Sequence, residues 1–157
     1  MKFILPSHRG WKVRDLYMYP YQDSNRSIDE RVEDLLQRMT LEEKIMQTDQ
    51  HAAYYFSDND ADGFVKELHL EKLDELFHGN SVGSIQLRGC TAAQANEIQR
   101  YAVEKTRLGI PFLFSEEALH GFTSKDATCF PQQIGLAATF HPELGYEMGR
   151  CIATEAY

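Results

Sequence analysis

The stretch Val82-Gly-Ser-Ile-Gln-Leu-Arg-Gly-Cys-Thr-Ala-Ala-Gln-Ala-Asn-Glu-Ile-Gln-Arg-Tyr-Ala-Val-Glu-Lys-Thr-Arg-Leu-Gly-Ile-Pro-Phe-Leu-Phe114 changes its periodicity as it runs, and those changes decide the fold class. Val82 to Leu87 has the length and composition of a short strand. Thr91 followed by Gln94 is a capping pair, and Ile98, Tyr101 and Ala102 then recur on one helical face. Gly109 is expected to end that helix, because a residue without a Cβ adopts left-handed backbone at little cost. Ile110 to Phe114 is a continuous apolar run, as expected of a strand covered on both faces of a parallel sheet.

Downstream, Pro142 suits the first turn of a helix whose apolar face is Leu144, Met148, Cys151 and Ile152. Upstream, Ser27 with Glu30 caps a helix carrying Ile28, Val32, Leu35, Leu36 and Met39 on one face. Thr40 with Glu43 repeats the pair, so a second short helix with Leu41 and Ile45 starts after a change of direction. The stripe Phe64, Leu68, Leu73, Leu76, Phe77 predicts a further helix over 64–77, closed before Gly79. Residues 1–26 carry no sustained helical period. Tyr17, Tyr19 and Tyr21 alternate there as in an extended arm packed on a neighbouring surface. The chain therefore divides into an arm, 1–26, and an α/β domain, 27–157. Alternating strand and helix calls for a parallel sheet, either doubly wound or closed as an eight-stranded barrel. Arg88-Gly-Cys-Thr91 lacks the spaced glycines of a dinucleotide loop, which favours the barrel.

Of 157 residues, 43% are hydrophobic and 25% charged, the balance of a globular protein. The formal net charge of -8, with no extended basic cluster, argues against a nucleic-acid surface. Met1-Lys-Phe-Ile-Leu5 is cut short by Pro6, well below the roughly 7 to 15 apolar residues of a signal sequence, so no export signal or membrane anchor is expected and the location is read as cytoplasmic. Cys90, Cys129 and Cys151 have no metal-ligand spacing and are expected to be reduced and buried. Asp58, Asp60, Asp62 and Gly63 fit the opening positions of a calcium loop. His69 stands where the bidentate glutamate belongs, so an acidic solvated loop is the better reading and no metal is expected.

The segment bearing chemistry is Ser115-Glu-Glu-Ala-Leu-His-Gly121, which begins where the second strand ends. Barrel active sites form at the carboxyl ends of strands. Carboxylates there can transfer protons, attack, or accept hydrogen bonds from hydroxyls, and one pair does not say which. Glu116 reads better as a capping or solvent-facing acid and Glu117 as the functional one; His120, on its residues alone, reads as structural.

Several segments in order resemble glycoside hydrolase family 3: Arg31-Val-Glu-Asp-Leu-Leu-Gln-Arg-Met-Thr-Leu-Glu-Glu-Lys-Ile-Met-Gln47, Asn96-Glu-Ile-Gln99, Arg107-Leu-Gly-Ile-Pro-Phe112, Glu117-Ala-Leu-His-Gly121, Ala127-Thr-Cys-Phe-Pro-Gln132, Gly135-Leu-Ala-Ala-Thr-Phe140, Pro142-Glu-Leu144 and Ile152-Ala-Thr-Glu-Ala156. The resemblance implies the N-terminal half of a TIM-type (β/α)8 barrel, truncated, from a retaining exo-acting β-glycosidase similar to β-glucosidases and β-xylosidases. It implies a β-linked oligosaccharide or glycoside as substrate and no cofactor. Family members use an aspartate nucleophile and a separate acid/base, with carboxyls about 5 to 5.5 Å apart in retaining enzymes. The resemblance places both beyond Tyr157, so no catalytic residue is expected in this chain. Glu117 resembles the residue that holds hydroxyls of the terminal sugar, and His120-Gly121 the turn beneath it, so Glu117 and His120 are the expected substrate-binding residues. Glutamate where many glucosidases of the family carry aspartate leans slightly toward a pentoside such as xyloside. A closed barrel takes about 250 residues, so the chain is expected to be a fragment, inactive alone and self-associating through unpaired barrel edges. The alternative is a non-catalytic degenerate paralogue serving as a sugar-binding or interaction module.

Overall fold

The computed structural model describes residues 19–157. They fall into two compact units, residues 19–45 and 46–157.

In the first unit a 3-10 turn, Pro20–Gln22, precedes helix α1, Ile28–Arg38. Ser27 caps α1, its hydroxyl accepting from the Glu30 amide at 3.3 Å while the Glu30 carboxylate accepts from the Ser27 amide at 3.0 Å. The expected extended arm is not found at Tyr19 and Tyr21. Pro20 presets the helical φ, and the two rings stack at 5.8 Å on a turn. Arg38 stands 4.2 Å from the Tyr19 ring centroid and grips the Asp34 carboxylate at 2.9 Å with two nitrogens. Tyr17 lies outside the described residues. The apolar stripe of α1 forms, yet α1 buries none of its residues: Ile28 is 74% exposed. Helix α2, Leu41–Met46, starts at the second capping pair, with Thr40 and Glu43 bonded reciprocally.

The second unit opens with strand β1, Gln50–Ala52, which leads through a 3-10 turn, Ala53–Phe56, into a hairpin of β2, Ser57–Asn59, and β3, Val65–Leu68. Then come α3, Glu71–Phe77; β4, Ser84–Gln86; α4, Ala92–Lys105; β5, Leu113–Ser115; α5, Gln133–Ala137; and α6, Pro142–Ala156. Strands β1, β4 and β5 form one sheet in that order with both pairings parallel, Gln50 opposite Ser84 and Ser84 opposite Leu113. The expected parallel α/β class is therefore found. The core beneath the sheet comprises Phe56, Leu73, Phe77, Val82, Ile85 and Ile98, all fully buried.

Five expectations are corrected here. The helix over 64–77 forms only from Glu71. Asp60 Oδ1 accepts from the amides of Asp62 and Phe64 at 3.0 and 2.9 Å, which closes a turn and commits Val65–Leu68 to pairing with β2. This turn is also what the calcium-like spacing builds. Gly109 does not end α4. The helix stops at Lys105, where Thr106 goes extended, its hydroxyl donating to the Ala102 carbonyl at 2.6 Å and accepting from the Gly109 amide at 3.2 Å. Strand β5 covers Leu113–Ser115 rather than 110–114, since Pro111 has no N–H for a ladder. Nor is it covered on both faces, because Leu113 is 71% exposed while Phe112 is buried. All three thiols are free, but Cys129 and Cys151 are exposed and Cys90 is half-buried.

Candidate functional site

The loops that leave the carboxyl ends of β1, β4 and β5 are stitched together. After β1 comes the β2–β3 hairpin, after β4 the loop Arg88-Gly-Cys-Thr91, and after β5 the long connection 116–132. The Arg88 carbonyl accepts from the Val65 amide at 3.2 Å, joining the first loop to the second. Glu116 joins the second to the third: its carboxylate accepts from the Gly89 amide and from the Glu117 amide, each at 2.9 Å. Glu116 is thus a loop clamp, neither the helix cap nor the fully solvent-facing acid that the sequence suggests. Lys125 and Asp60 form an ion pair that joins the third loop to the first. The Lys125 ammonium, bonded to Asp60, holds that carboxyl below the ordinary range, with the Phe64 amide helping.

Between the first and third of these loops lies a cleft of about 220 Å³ lined by Phe64, Glu117, Leu119, His120, Gly121, Phe122, Thr123, Ser124, Ala127, Thr128 and Cys129. Both expected binding residues line it. Glu117 is exposed, and its backbone carbonyl accepts from the amide and the hydroxyl of Thr123 at 3.0 and 2.8 Å, which fixes the turn and leaves the carboxylate without a partner among the described residues. His120 is half-buried, its carbonyl accepting from the Phe130 amide at 2.7 Å and its Nδ1 lying 3.5 Å from Cys129 Sγ. Gly121, at φ 141, lets the segment 117–121 press on the backbone at Thr128, where a Cβ would collide with the carbonyl oxygen. Thr128 is held from the far side by Glu155 of α6, which accepts from its amide at 3.0 Å and from its hydroxyl at 2.5 Å.

One carboxylate among apolar walls and two threonines can accept hydroxyl hydrogen bonds and orient a polyol. Among the described residues Glu117 is the single carboxylate lining the cleft, and no group of three or more histidine, cysteine or acidic side chains gathers as a metal would require. Cys90, below the clamp, has its thiol pushed up to about 12 by burial and by the Glu116 charge. Sequence reasoning missed Phe64 and Lys125 as parts of this site. Phe64 counted as a helix stripe residue, and nothing local marks Lys125 as the partner of an aspartate so distant along the chain.

A parallel α/β sheet with a carboxylate-bearing cleft at the carboxyl ends of its strands has the layout of barrel-type enzymes. Residues 40–157 match the glycosyl hydrolase family 3 N-terminal domain, and the chain belongs to that family. It is 36% identical over 146 residues to Beta-glucosidase C of Emericella nidulans and 31% identical over 139 residues to a putative beta-xylosidase of Formosa agariphila, the alignments taking in 87% of this chain in both cases. The chain spans 23% and 18% of the length of these relatives. Among solved structures it resembles a β-glucosidase from Erythrobacter marinus, with a TM-score of 0.61 and 25% identity, over 87% of this chain and 18% of the other.

Proposed function

We propose that this chain is the N-terminal portion of the catalytic barrel of a retaining, exo-acting β-glycosidase of the β-glucosidase or β-xylosidase type, with Glu117 and His120 in its sugar-binding subsite. The observation that carries the reading is the Glu117 carboxylate, which has no partner among the described residues, in the cleft beyond β5. A polar group so placed at a concave site is available to a ligand, and a carboxylate accepts two adjacent hydroxyls in a way no neutral side chain matches. His120 forms the floor, held by its backbone bond to Phe130. The names of the relatives above support β-glucosides and β-xylosides as the substrate class.

Retaining hydrolysis needs two carboxyls about 5 to 5.5 Å apart, and the cleft's lining contains one. The chain alone accordingly binds without turning over. Titration of the 15N-labelled chain with methyl β-D-xylopyranoside or methyl β-D-glucopyranoside should shift the amides of Thr123 and His120 saturably. Glu117→Gln should weaken that binding about tenfold or more, because a charge-assisted hydrogen bond contributes roughly 1.5 to 3 kcal/mol. Aryl β-glucosides and aryl β-xylosides should be hydrolysed no faster than in buffer. Turnover by the chain that Glu117→Gln leaves intact would overturn both the binding role of Glu117 and the expectation that the chain alone is inactive.

A further inference from the structure

Every residue lining the cleft except one comes from the segment 117–129; the exception is Phe64, at the end of the β2–β3 turn. Its delivery there is over-determined. Asp60 Oδ1 bonds the Phe64 amide at 2.9 Å, the Asp60 amide donates to the Phe64 carbonyl at 3.0 Å, and the other Asp60 oxygen pairs with Lys125 of the cleft-forming loop. The ring rests against Gly89, which stands at φ 72; a Cβ added there would overlap the ring. A side chain at Gly89 would push Phe64 away, so the position needs glycine for space as well as for backbone.

Half-buried phenylalanine has no polar handle and cannot read hydroxyls. What it offers a ligand is a flat apolar face. A β-pyranoside combines both demands of this cleft: a rim of hydroxyls for Glu117 and a ring face of C–H groups for an aromatic wall. We propose that Phe64 is a sugar-contacting wall of the Glu117 cleft and that the Asp60–Lys125 ion pair is the latch that positions it. This rests on the reading of the cleft as a glycoside site. It adds that recognition needs the hairpin after β1 as well as the loop after β5, with Phe64 a binding residue and Asp60 and Lys125 positioning residues.

The test is the same amide titration of the whole chain with methyl β-D-xylopyranoside, applied to Phe64→Leu, Phe64→Trp, Lys125→Met and Glu117→Gln. Phe64→Leu keeps apolar bulk but removes the aromatic face and should weaken binding about threefold or more, while Phe64→Trp keeps the face and should stay within about twofold of the parent. Lys125→Met should weaken binding as Phe64→Leu does, and the double variant should lose little more, since both act through one ring. If Phe64→Leu disturbs the hairpin, Phe64→Trp decides alone: nuclear Overhauser contacts between the indole and the sugar C–H protons are expected, and their absence at saturation overturns the proposal. Binding that Glu117→Gln weakens and Phe64→Leu does not would sink the aromatic wall and leave the glycoside reading standing. No saturable binding by the parent chain would sink both.

Discussion

Helices α4 and α6 are close in length and both carry an apolar stripe, but they end in different environments. Helix α4 buries Ala95, Ile98, Tyr101 and Ala102, whereas α6 buries Met148 and Ile152 and leaves Leu144 and Tyr146 47% and 72% exposed. The difference lies in their neighbours. Helix α4 is the crossover between β4 and β5, so the parallel pairing of those strands lays it on the sheet. Gln99 then fastens it to the approach to β5, donating to the Phe112 carbonyl at 3.0 Å and accepting from its amide at 2.8 Å, and Tyr101 donates to Asp74 of α3 at 2.6 Å. Helix α6 has contacts with α5 and the Glu155 bonds to Thr128. An apolar stripe states what a helix can bury. Topology decides whether it does.

The largest expected effect separates the two helices directly. Ile98→Ala should cost about 2 to 5 kcal/mol, since a fully buried branched side chain leaves a cavity under the sheet. Leu144→Ala should cost less than about 1 kcal/mol. Urea unfolding followed by far-ultraviolet circular dichroism measures both, and equal losses would mean that α6 is as well packed as α4.

A smaller effect concerns the helix starts. Thr91 caps α4 with its hydroxyl at 3.3 Å from the Gln94 amide, so Thr91→Ala should lose about 1 kcal/mol. His141, before α6, makes no side-chain cap, so His141→Asp should gain about 0.5 to 1 kcal/mol from the missing bond and the helix dipole. The same unfolding curves decide it, and a loss on His141→Asp would show that the backbone at His141, φ -113 and ψ 89, cannot take up the capping geometry.

The smallest effect is chemical. Alkylation with iodoacetamide near pH 8.5 should modify Cys151 of α6 and Cys129 readily, and Cys90, beside the start of α4, about tenfold or more slowly, because its thiol is half-buried and titrates near 12. The linkage has a definite sign. A raised folded value means that the neutral Cys90 thiol stabilises the fold fully below the unfolded thiol's pKa of about 8.5, a contribution lost as the pH rises toward about 12. Cys90→Ala should therefore flatten the alkaline decline of stability. Mass spectrometry of tryptic peptides reads the labelling, and fast modification of Cys90 would place the β4–α4 loop in the open.

Much of this was legible along the chain. The three capping pairs, Ser27 with Glu30, Thr40 with Glu43 and Thr91 with Gln94, each start a helix where expected, because a cap needs only residues three positions apart. The apolar centre of 82–87 marked β4. In the site, the position of Glu117 and His120 after a strand was legible for the same local reason. Strand β1 was not legible, since Gln50, His51 and Ala52 have little strand character and become one by pairing with β4. The hairpin was hidden because a stripe across residues 64–77 fits a helix as well as the strand and helix that share it.

The sequence by itself determined where the capped helices α1, α2 and α4 begin, that strands and helices alternate into a parallel α/β fold, and that a carboxylate follows β5. Those features depend on neighbours within a few residues. Only the tertiary structure decided that Glu116 clamps loops while Glu117 faces the cleft, that Asp60 meets Lys125, and that Phe64 joins a wall built by residues far along the chain. Such contacts depend on which strand ends lie side by side, and no local pattern carries that information.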